Sequence, residues 1–161
     1  MEGADVSQAL LDQGDLALLH EPIAEALLTS KQPARLAYTW RDGTPRVVAM
    51  WFHWDGRQIV MASPPKAPKL KVLGERPDVA LTIDDSSAMP YKELLIRGKA
   101  ELQPWEGIVP EYALAAKRYL GEEAAAPWLD QMEGTPAVRI AVTPTWVGLI
   151  DFVSRMPSAL M

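Results

Sequence analysis

Cysteine is absent from this chain of 161 residues, and its absence removes several kinds of chemistry. Without thiols there is no disulfide framework, no thiolate zinc site and no cysteine nucleophile. Only two histidines are present, His20 and His53, so a histidine-rich metal site is excluded as well. We therefore expect no bound metal and no thiol chemistry.

Long apolar runs and positive charge are also scarce. No apolar segment approaches the roughly 20 residues that span a bilayer. Residues 1–15 carry four acids and neither Lys nor Arg, the reverse of a secretory signal. These features predict a cytoplasmic protein without membrane association. The net charge of −5 gives no general attraction for nucleic acid, so any anionic ligand needs a local basic patch.

The usual sequence signatures of nucleotide and acyl chemistry are missing too. The chain has neither a Gly-x-Gly-x-x-Gly loop nor a Walker-type loop. No serine lies in a Gly-x-Ser-x-Gly nucleophile elbow. These absences exclude the commonest nucleotide-binding loops and the α/β-hydrolase type of active site.

What the sequence does contain is a regular succession of strand patterns. Two Asp-Gly turns, Asp42-Gly43 and Asp55-Gly56, predict an antiparallel meander of three strands. Three later strand patterns follow, and Pro144 within the last one requires an edge or a bulge. The six predicted strands cover residues 35–40, 46–54, 58–62, 79–84, 94–102 and 137–152.

Helical patterns surround these strands, first over residues 1–30 and then near residues 69–75 and 106–132. We therefore predict a single domain over residues 1–161, with the barrel in residues 34–152. Its class is mainly β (α+β), a closed or nearly closed antiparallel barrel with N-terminal and inserted helices.

The most informative segment is the loop of residues 63–71, which holds Lys66, Lys69 and Lys71 and no acid. It follows a strand and opens a helix, where free backbone N–H groups and the helix dipole favour a phosphate. A solvent-facing basic loop without a ligand accounts for the same residues equally well. The loop is therefore a candidate anion site and nothing more on this evidence.

Three other candidates are weaker. The aromatic residues around Trp51 predict core packing or a flat wall for a planar ring. His53 is a possible general base, but no partner for it is visible in the sequence. Asp84-Asp85 is better interpreted as a polar turn than as a pair of catalytic carboxylates.

The order of these segments resembles the pyridoxamine 5′-phosphate oxidase-like, FMN-binding split-barrel family. The resemblance runs from about Leu18 to Phe152 and includes an Arg-Gly-x-Ala strand at Arg97. Other segments that carry it are Ala34-Arg35-Leu36-Ala37-Tyr38-Thr39, Gly43-Thr44-Pro45-Arg46-Val47-Val48, Gln58-Ile59-Val60-Met61-Ala62-Ser63 and Tyr119-Leu120-Gly121.

The resemblance implies a six-stranded split barrel that forms a homodimer, with the cofactor at the subunit interface. It also implies that Lys69, and less directly Lys66, holds the phosphate, and that Trp146 completes the site from the other chain. Relatives often carry Asn-Leu where this chain has Val72-Leu73, so one amide is missing from the phosphate site. The implied cofactor-binding residues are Val48, Ala49, Met50, Trp51, Met61, Ala62, Ser63, Lys66, Lys69 and Trp146.

The function implied is that of an FMN-binding oxidoreductase that passes hydride between the ring and a small organic substrate. A reductase that uses the deazaflavin coenzyme F-420 is the first alternative, because both cofactors need a phosphate site and a flat pocket. A flavin-nucleotide-binding module without turnover is the second, since no catalytic dyad is evident. A purely structural barrel is the third.

Overall fold

The computed structural model describes residues 10–160 and contains one seven-stranded antiparallel sheet. The strands are β1 (Ala34–Thr39), β2 (Pro45–Met50), β3 (His53–Trp54), β4 (Ile59–Ser63), β5 (Asp78–Asp85), β6 (Lys92–Glu106) and β7 (Pro136–Ile150). Their order across the sheet is β2-β1-β5-β6-β7-β4-β3. The α+β class and the antiparallel barrel are confirmed, with seven strands in place of six.

The extra strand arises because the second predicted strand is broken at Trp51 and Phe52. The segment before the break, β2, pairs with β1, and the segment after it, β3, pairs with β4 at the opposite end of the sheet. Phe52 is fully buried in the core, so the chain turns inward there. The expected continuous meander is therefore wrong, although both Asp-Gly hairpins form.

Within the described residues, four α-helices and two 3-10 helices pack around the sheet. They are α1 (Pro22–Leu28), α2 (Leu70–Leu73), α3 (Pro110–Leu120) and α4 (Glu122–Asp130), with 3-10 helices at Leu16–His20 and Ser158–Leu160. In the part of the chain that the structure describes, no helix is long and apolar enough to cross a bilayer. The predicted helical segment before residue 10 lies outside the described residues.

The core fills the inside of the curved sheet and is closed by the N-terminal helices. Leu18, Leu27 and Leu28 are almost fully buried in the same cluster as the inward side chains of the strands. Pro22 occupies the first turn of α1, where its missing N–H costs no hydrogen bond. The N-terminal segment therefore forms part of the barrel core.

A β-bulge lies where the sequence places Pro144. Arg97 pairs with Trp146, but the next residue, Gly98, pairs with Pro144, so Thr145 is the extra residue. A Cβ atom added to Gly98 would lie 2.4 Å from the Thr143 carbonyl oxygen. The bulge thus brings two backbones so close that only glycine fits.

Candidate functional site

The sheet is interrupted between β2 and β4. His53 pairs with Val60, and extending this register would place Trp51 opposite Ala62 and Met50 opposite Ser63. Those pairs do not form, because β2 turns away to pair with β1. We call this break, bounded by residues 48–51 and 61–63, the split.

Both strands present free backbone edges at the split. Among the described residues, β2 is paired on one side only, with β1. Residues 61–63 are likewise paired on one side only, with β7. Backbone N–H and C=O groups along these edges are therefore available to hydrogen-bond the edge of a ligand.

The side chains at the split face different ways. Val48 and Met50 pack partly against the core, and Met61 is 1% exposed within it. Ala49 is exposed on the opposite face of β2. Of the predicted ring-contact residues, Met61 can therefore offer a ligand only its backbone.

Trp51 lies against the helices rather than in the open split. Its ring stacks on Tyr119, with centroids 5.1 Å apart and planes 12° apart, and it also contacts Tyr112 and Trp128. Tyr119 is fixed by donating its hydroxyl proton to the Gln32 carbonyl, at 2.9 Å. Trp51 therefore anchors α3 and α4 to the strand that borders the split.

Replacing Trp51 with leucine is expected to lower the free energy of unfolding by about 1–3 kcal/mol, because the stacked pair and part of the buried ring area are lost. Trp105→Leu is the matched control, since Trp105 has no aromatic partner among the described residues. Urea denaturation of both variants measures the difference. Equal losses in the two variants would contradict the anchoring role.

The lysine loop differs from its prediction in one respect. Helix α2 is only four residues long, and its N–H groups are engaged, since Leu70, Lys71 and Val72 donate to Ala67, Pro68 and Lys69 carbonyls. The expected array of free N–H groups at a helix N-terminus is therefore not formed by these three residues. The features of this loop that favour an anion are therefore the charges of its side chains.

Of the three lysines in the loop, Lys69 is the one best placed to bind an anion. Its side chain is half-buried, and burial lowers the pKa of its ammonium group. It makes no ion pair with any described carboxylate. Lys66, by contrast, is exposed. A half-buried ammonium group without a counter-ion favours binding an anion, because a phosphate would supply the missing negative charge.

Sequence analysis missed two arginines that lie against α2. Arg41 donates to the Lys71 carbonyl at 3.2 Å, and Arg76 donates to the Arg41 carbonyl at 3.3 Å. Within residues 10–160 the one ion pair these arginines make joins Arg41 to Glu75, at 3.7 Å, and both side chains are well exposed. Thirty residues separate Arg41 from Lys71, so no local motif shows this basic cluster.

A cavity of about 290 Å³ opens beside the carboxyl end of β4. Its walls come from β4, the start of α3, the turn after α4 and the start of β7. The lining residues are Ala62, Ser63, Pro64, Gly107, Ile108, Val109, Tyr112, Met132, Thr135, Pro136 and Ala137. We call it the β4 cavity. It joins two predicted site residues, Ala62 and Ser63, to the aromatic cluster through Tyr112.

Trp146 lies elsewhere, in a separate cavity lined by the N-terminal segment and the C-terminal residues. Its ring packs directly against the backbone of Gly14 and Gly148. A Cβ atom added to Gly14 would lie 2.9 Å from the ring, and one added to Gly148 would lie 2.6 Å from it. The Arg97 guanidinium lies 4.1 Å from the ring centroid, a cation–π contact. Within one chain, Trp146 is therefore not brought to the β4 cavity.

The remaining polar candidates are engaged in local structure. Asp84 pairs with Arg35. Asp85 accepts hydrogen bonds from the Ser87 hydroxyl and N–H, which lower the pKa of its carboxyl group. The pKa of His53 is lowered, first by burial and then by the charge of Arg118. The carboxylates of Asp84-Asp85 thus act as an ion-pair partner and a turn cap.

Comparison with known proteins decides the family. The family model for pyridoxamine 5′-phosphate oxidase matches residues 21–151. The chain belongs to this family. An F-420 reductase of known structure is 30% identical, with a TM-score of 0.58, over 77% of this chain and 94% of the reductase. No curated protein sequence matches the chain.

Two further solved structures support the fold of this pyridoxamine 5′-phosphate oxidase family member. The conserved hypothetical protein Rv2991 from Mycobacterium tuberculosis is 22% identical with a TM-score of 0.65, covering 89% of each chain. General stress protein 26 from Bacillus anthracis is 14% identical with a TM-score of 0.58, over 84% of this chain and 95% of that one. The family and the F-420 reductase together indicate the fold of a flavin- or deazaflavin-binding oxidoreductase.

Proposed function

We propose that this protein is an oxidoreductase that binds FMN, with the phosphate held at Lys69 and the ring placed at the split. The observation that carries the proposal is the half-buried Lys69 ammonium group, which has no carboxylate partner among the described residues. Arg41 and Arg76, which lie against the same helix, add positive charge. In a chain of net charge −5 such a cluster supports a specific anion site.

The free strand edges support a role in orienting the ring. A flavin-type ring carries N–H and C=O groups along its edge, and the unpaired backbone of β2 and of residues 61–63 offers complementary groups. The bound cofactor would supply hydride transfer to a small organic substrate. The chain's own part is to bind the phosphate, orient the ring edge and provide an apolar wall.

The deazaflavin coenzyme F-420 is the alternative cofactor. The observation that favours it is the 30% identity to an F-420 reductase across 94% of that protein's chain. A site that holds a phosphate by side-chain charge and a ring edge by backbone groups suits either ring. A binding module without turnover is the remaining alternative, supported by the absence of an evident catalytic dyad.

Absorbance titration of the purified protein with FMN and with coenzyme F-420 tests the proposal. We expect one of the two to bind with a Kd in the micromolar range or below, and the reduced complex to pass electrons to acceptor dyes. Binding without turnover would support the binding module in place of the enzyme. Failure of both ligands to bind at 100-fold higher concentration would contradict the proposal.

We further propose that the protein is a cytoplasmic homodimer that forms through the outer face of β2, β1 and β5. Small or apolar side chains surround Arg35 on this face, and the charge of Arg35 is paired with Asp84. These side chains include Ala37, Val47, Ala49, Ala80 and Thr82, and Val47 is 68% exposed. In a two-fold symmetric dimer the same face of each chain would pack against the other, so the apolar patch of both chains would be buried.

Val47→Asp is expected to convert the dimer to a monomer, because a two-fold contact would bury both introduced carboxylates. Leu114→Asp is the matched control. Leu114 is likewise an exposed aliphatic residue, with 51% of its surface exposed, but it lies on α3, away from the proposed interface. Light scattering coupled to size-exclusion chromatography gives the mass of each variant. A monomeric parent protein, or a dimeric Val47→Asp variant, would overturn this assignment.

A further inference from the structure

The break between β2 and β3 is held by a side chain from outside the sheet. Trp51 and Phe52 belong to no strand, and Phe52 is fully buried, its backbone included. Arg118 on α3 donates from Nη2 to the Phe52 carbonyl oxygen. No backbone N–H group of the described residues donates to this oxygen. Arg118 therefore satisfies a buried carbonyl group at the point where the chain leaves one strand for the next.

The same guanidinium group holds two further contacts. Its Nε donates to the Ser30 carbonyl oxygen at 2.9 Å, in the loop between α1 and β1. Its carbon lies 4.9 Å from the centroid of the Phe52 ring and 4.8 Å from that of Tyr119, which are cation–π distances. Arg118 makes no ion pair with a described residue. A planar group with fixed partners on two arms and on its faces is held in one orientation.

The link that Arg118 holds sets the geometry of the split. Only Trp51 and Phe52 join the end of β2 to the start of β3, and these strands pair with β1 and β4 at opposite ends of the sheet. Trp51 stacks on Tyr119 and Phe52 bonds Arg118, so both are held by the last turn of α3. Stacked rings can slide, whereas a hydrogen bond weakens steeply when it bends. The bond from Arg118 is therefore the directional part of this attachment.

We propose that Arg118 is a positioning residue for the split. By fixing the Phe52 carbonyl, it holds the free backbone edge of residues 48–51 at a set distance from that of residues 61–63. The fixing of the break is a property of the chain alone. That the edge so placed orients a flavin-type ring rests on the proposed function, and Arg118 acts there through the backbone of Phe52 and its neighbours.

Arg118→Met tests this role, because methionine keeps much of the apolar stem and loses every donor. We expect riboflavin and FMN to bind the variant about tenfold more weakly than the parent, by the same factor for both, since the ring edge and not the phosphate loses its fixed partner. Lys69→Ala differs, because it should weaken FMN alone. An unchanged riboflavin affinity in Arg118→Met would overturn the proposal.

Arg139→Met is the matched control. Arg139 also anchors α3, because its Nη2 lies 2.6 Å from the carboxylate of Glu111 in the first turn of the helix, but it makes no hydrogen bond to residue 51 or 52. It should keep riboflavin affinity within about threefold of the parent. Arg118→Lys retains a charged donor and should lose less affinity than Arg118→Met. Equal losses in Arg118→Met and Arg139→Met would show a general effect of loosening α3 and would contradict the proposal.

The visible absorption spectrum of bound riboflavin gives a readout that a loss of stability does not move. Measured at saturating protein, it reports the surroundings of the ring independently of affinity. The parent and Arg139→Met should give the same spectrum, and Arg118→Met a spectrum closer to that of free riboflavin. If the parent binds coenzyme F-420 in place of FMN, its deazariboflavin core serves as the ring. Identical saturated spectra for the parent and Arg118→Met would overturn the positioning role.

Amide hydrogen exchange in the cofactor-free protein separates this inference from the proposed function. His53 and Val60 pair across β3 and β4, directly after the break. Arg118→Met should speed exchange of their amides at least about tenfold relative to the amides of β5 and β6, and Arg139→Met should not. If neither cofactor binds the parent, the oxidoreductase proposal fails and this exchange result decides whether Arg118 fixes the break. If a cofactor binds and Arg118→Met changes neither affinity nor spectrum, only the positioning role fails.

Discussion

Replacing Lys69 with alanine should weaken FMN binding by roughly 10- to 100-fold, because a charge-assisted contact to the phosphate is lost. Folding should be preserved, since Lys69 makes no ion pair with the described residues and its half-burial opposes its charge. Thermal denaturation compares the cofactor-free proteins directly, and Lys69→Met should melt at the same temperature as the parent or higher. Fluorescence quenching of FMN measures the affinity.

Three neighbouring variants sharpen this prediction. Lys69→Arg should keep most of the affinity because the charge remains, whereas Lys66→Ala should lose much less than Lys69→Ala, since Lys66 is exposed. Lys71→Ala is the charge-matched control, because that lysine contributes its carbonyl oxygen to Arg41 and its side chain is exposed. An equal loss in all three alanine variants would indicate a general charge effect and contradict a specific role for Lys69.

Gly98→Ala should be the most destabilising single-methyl change in the chain's sheet, with a loss of about 3 kcal/mol in the free energy of unfolding. The added Cβ would lie 2.4 Å from the Thr143 carbonyl oxygen and 2.8 Å from a Val142 methyl carbon. The first of these neighbours is backbone within a paired strand, so it cannot move aside as a flexible side chain would. In a chain of this size the melting temperature should fall by roughly 6–12 °C.

Gly74→Ala is the matched control for Gly98→Ala. Its φ angle is −69°, and the nearest atom to an added Cβ is a Leu102 methyl carbon at 3.9 Å, an ordinary contact. Alanine there should leave stability unchanged or raise it slightly, because it restricts the unfolded chain. Comparable melting temperatures for the two variants in a differential scanning experiment would show that the close approach at the bulge is not rigid.

The sequence predicted the parts of this fold that depend on local patterns. The Asp-Gly turns, the alternation of the later strands and the need for an edge or a bulge at Pro144 follow from rules that act over a few residues. The break at Trp51 and Phe52 does not, because both residues favour strands. Phe52 enters the core and its carbonyl accepts a hydrogen bond from Arg118, a residue that lies far away in the sequence.

The candidate site shows the same division between local and long-range information. The basic loop is visible in the sequence, but the engagement of the α2 N–H groups by Ala67 and Pro68 carbonyls depends on the exact path of the backbone. Arg97 stacks on Trp146, but the sequence shows it only as part of a strand motif. Cross-strand pairing explains why it is free to stack: Lys99 pairs with Asp78, whereas Arg97 lies opposite Ala80.

The central claim is that the site recognises a phosphate through Lys69, and a ligand cycle tests it most directly. The dissociation constants of FMN and riboflavin, which differ only by the phosphate, are measured for the parent protein and for Lys69→Ala. The same cycle with coenzyme F-420 and its phosphate-free deazariboflavin core covers the alternative ring. We predict that the phosphorylated ligand binds the parent at least about tenfold more tightly, and that Lys69→Ala removes most of this advantage without changing the affinity for the phosphate-free ring. An advantage of the phosphorylated ligand that is equal in both proteins would contradict the account.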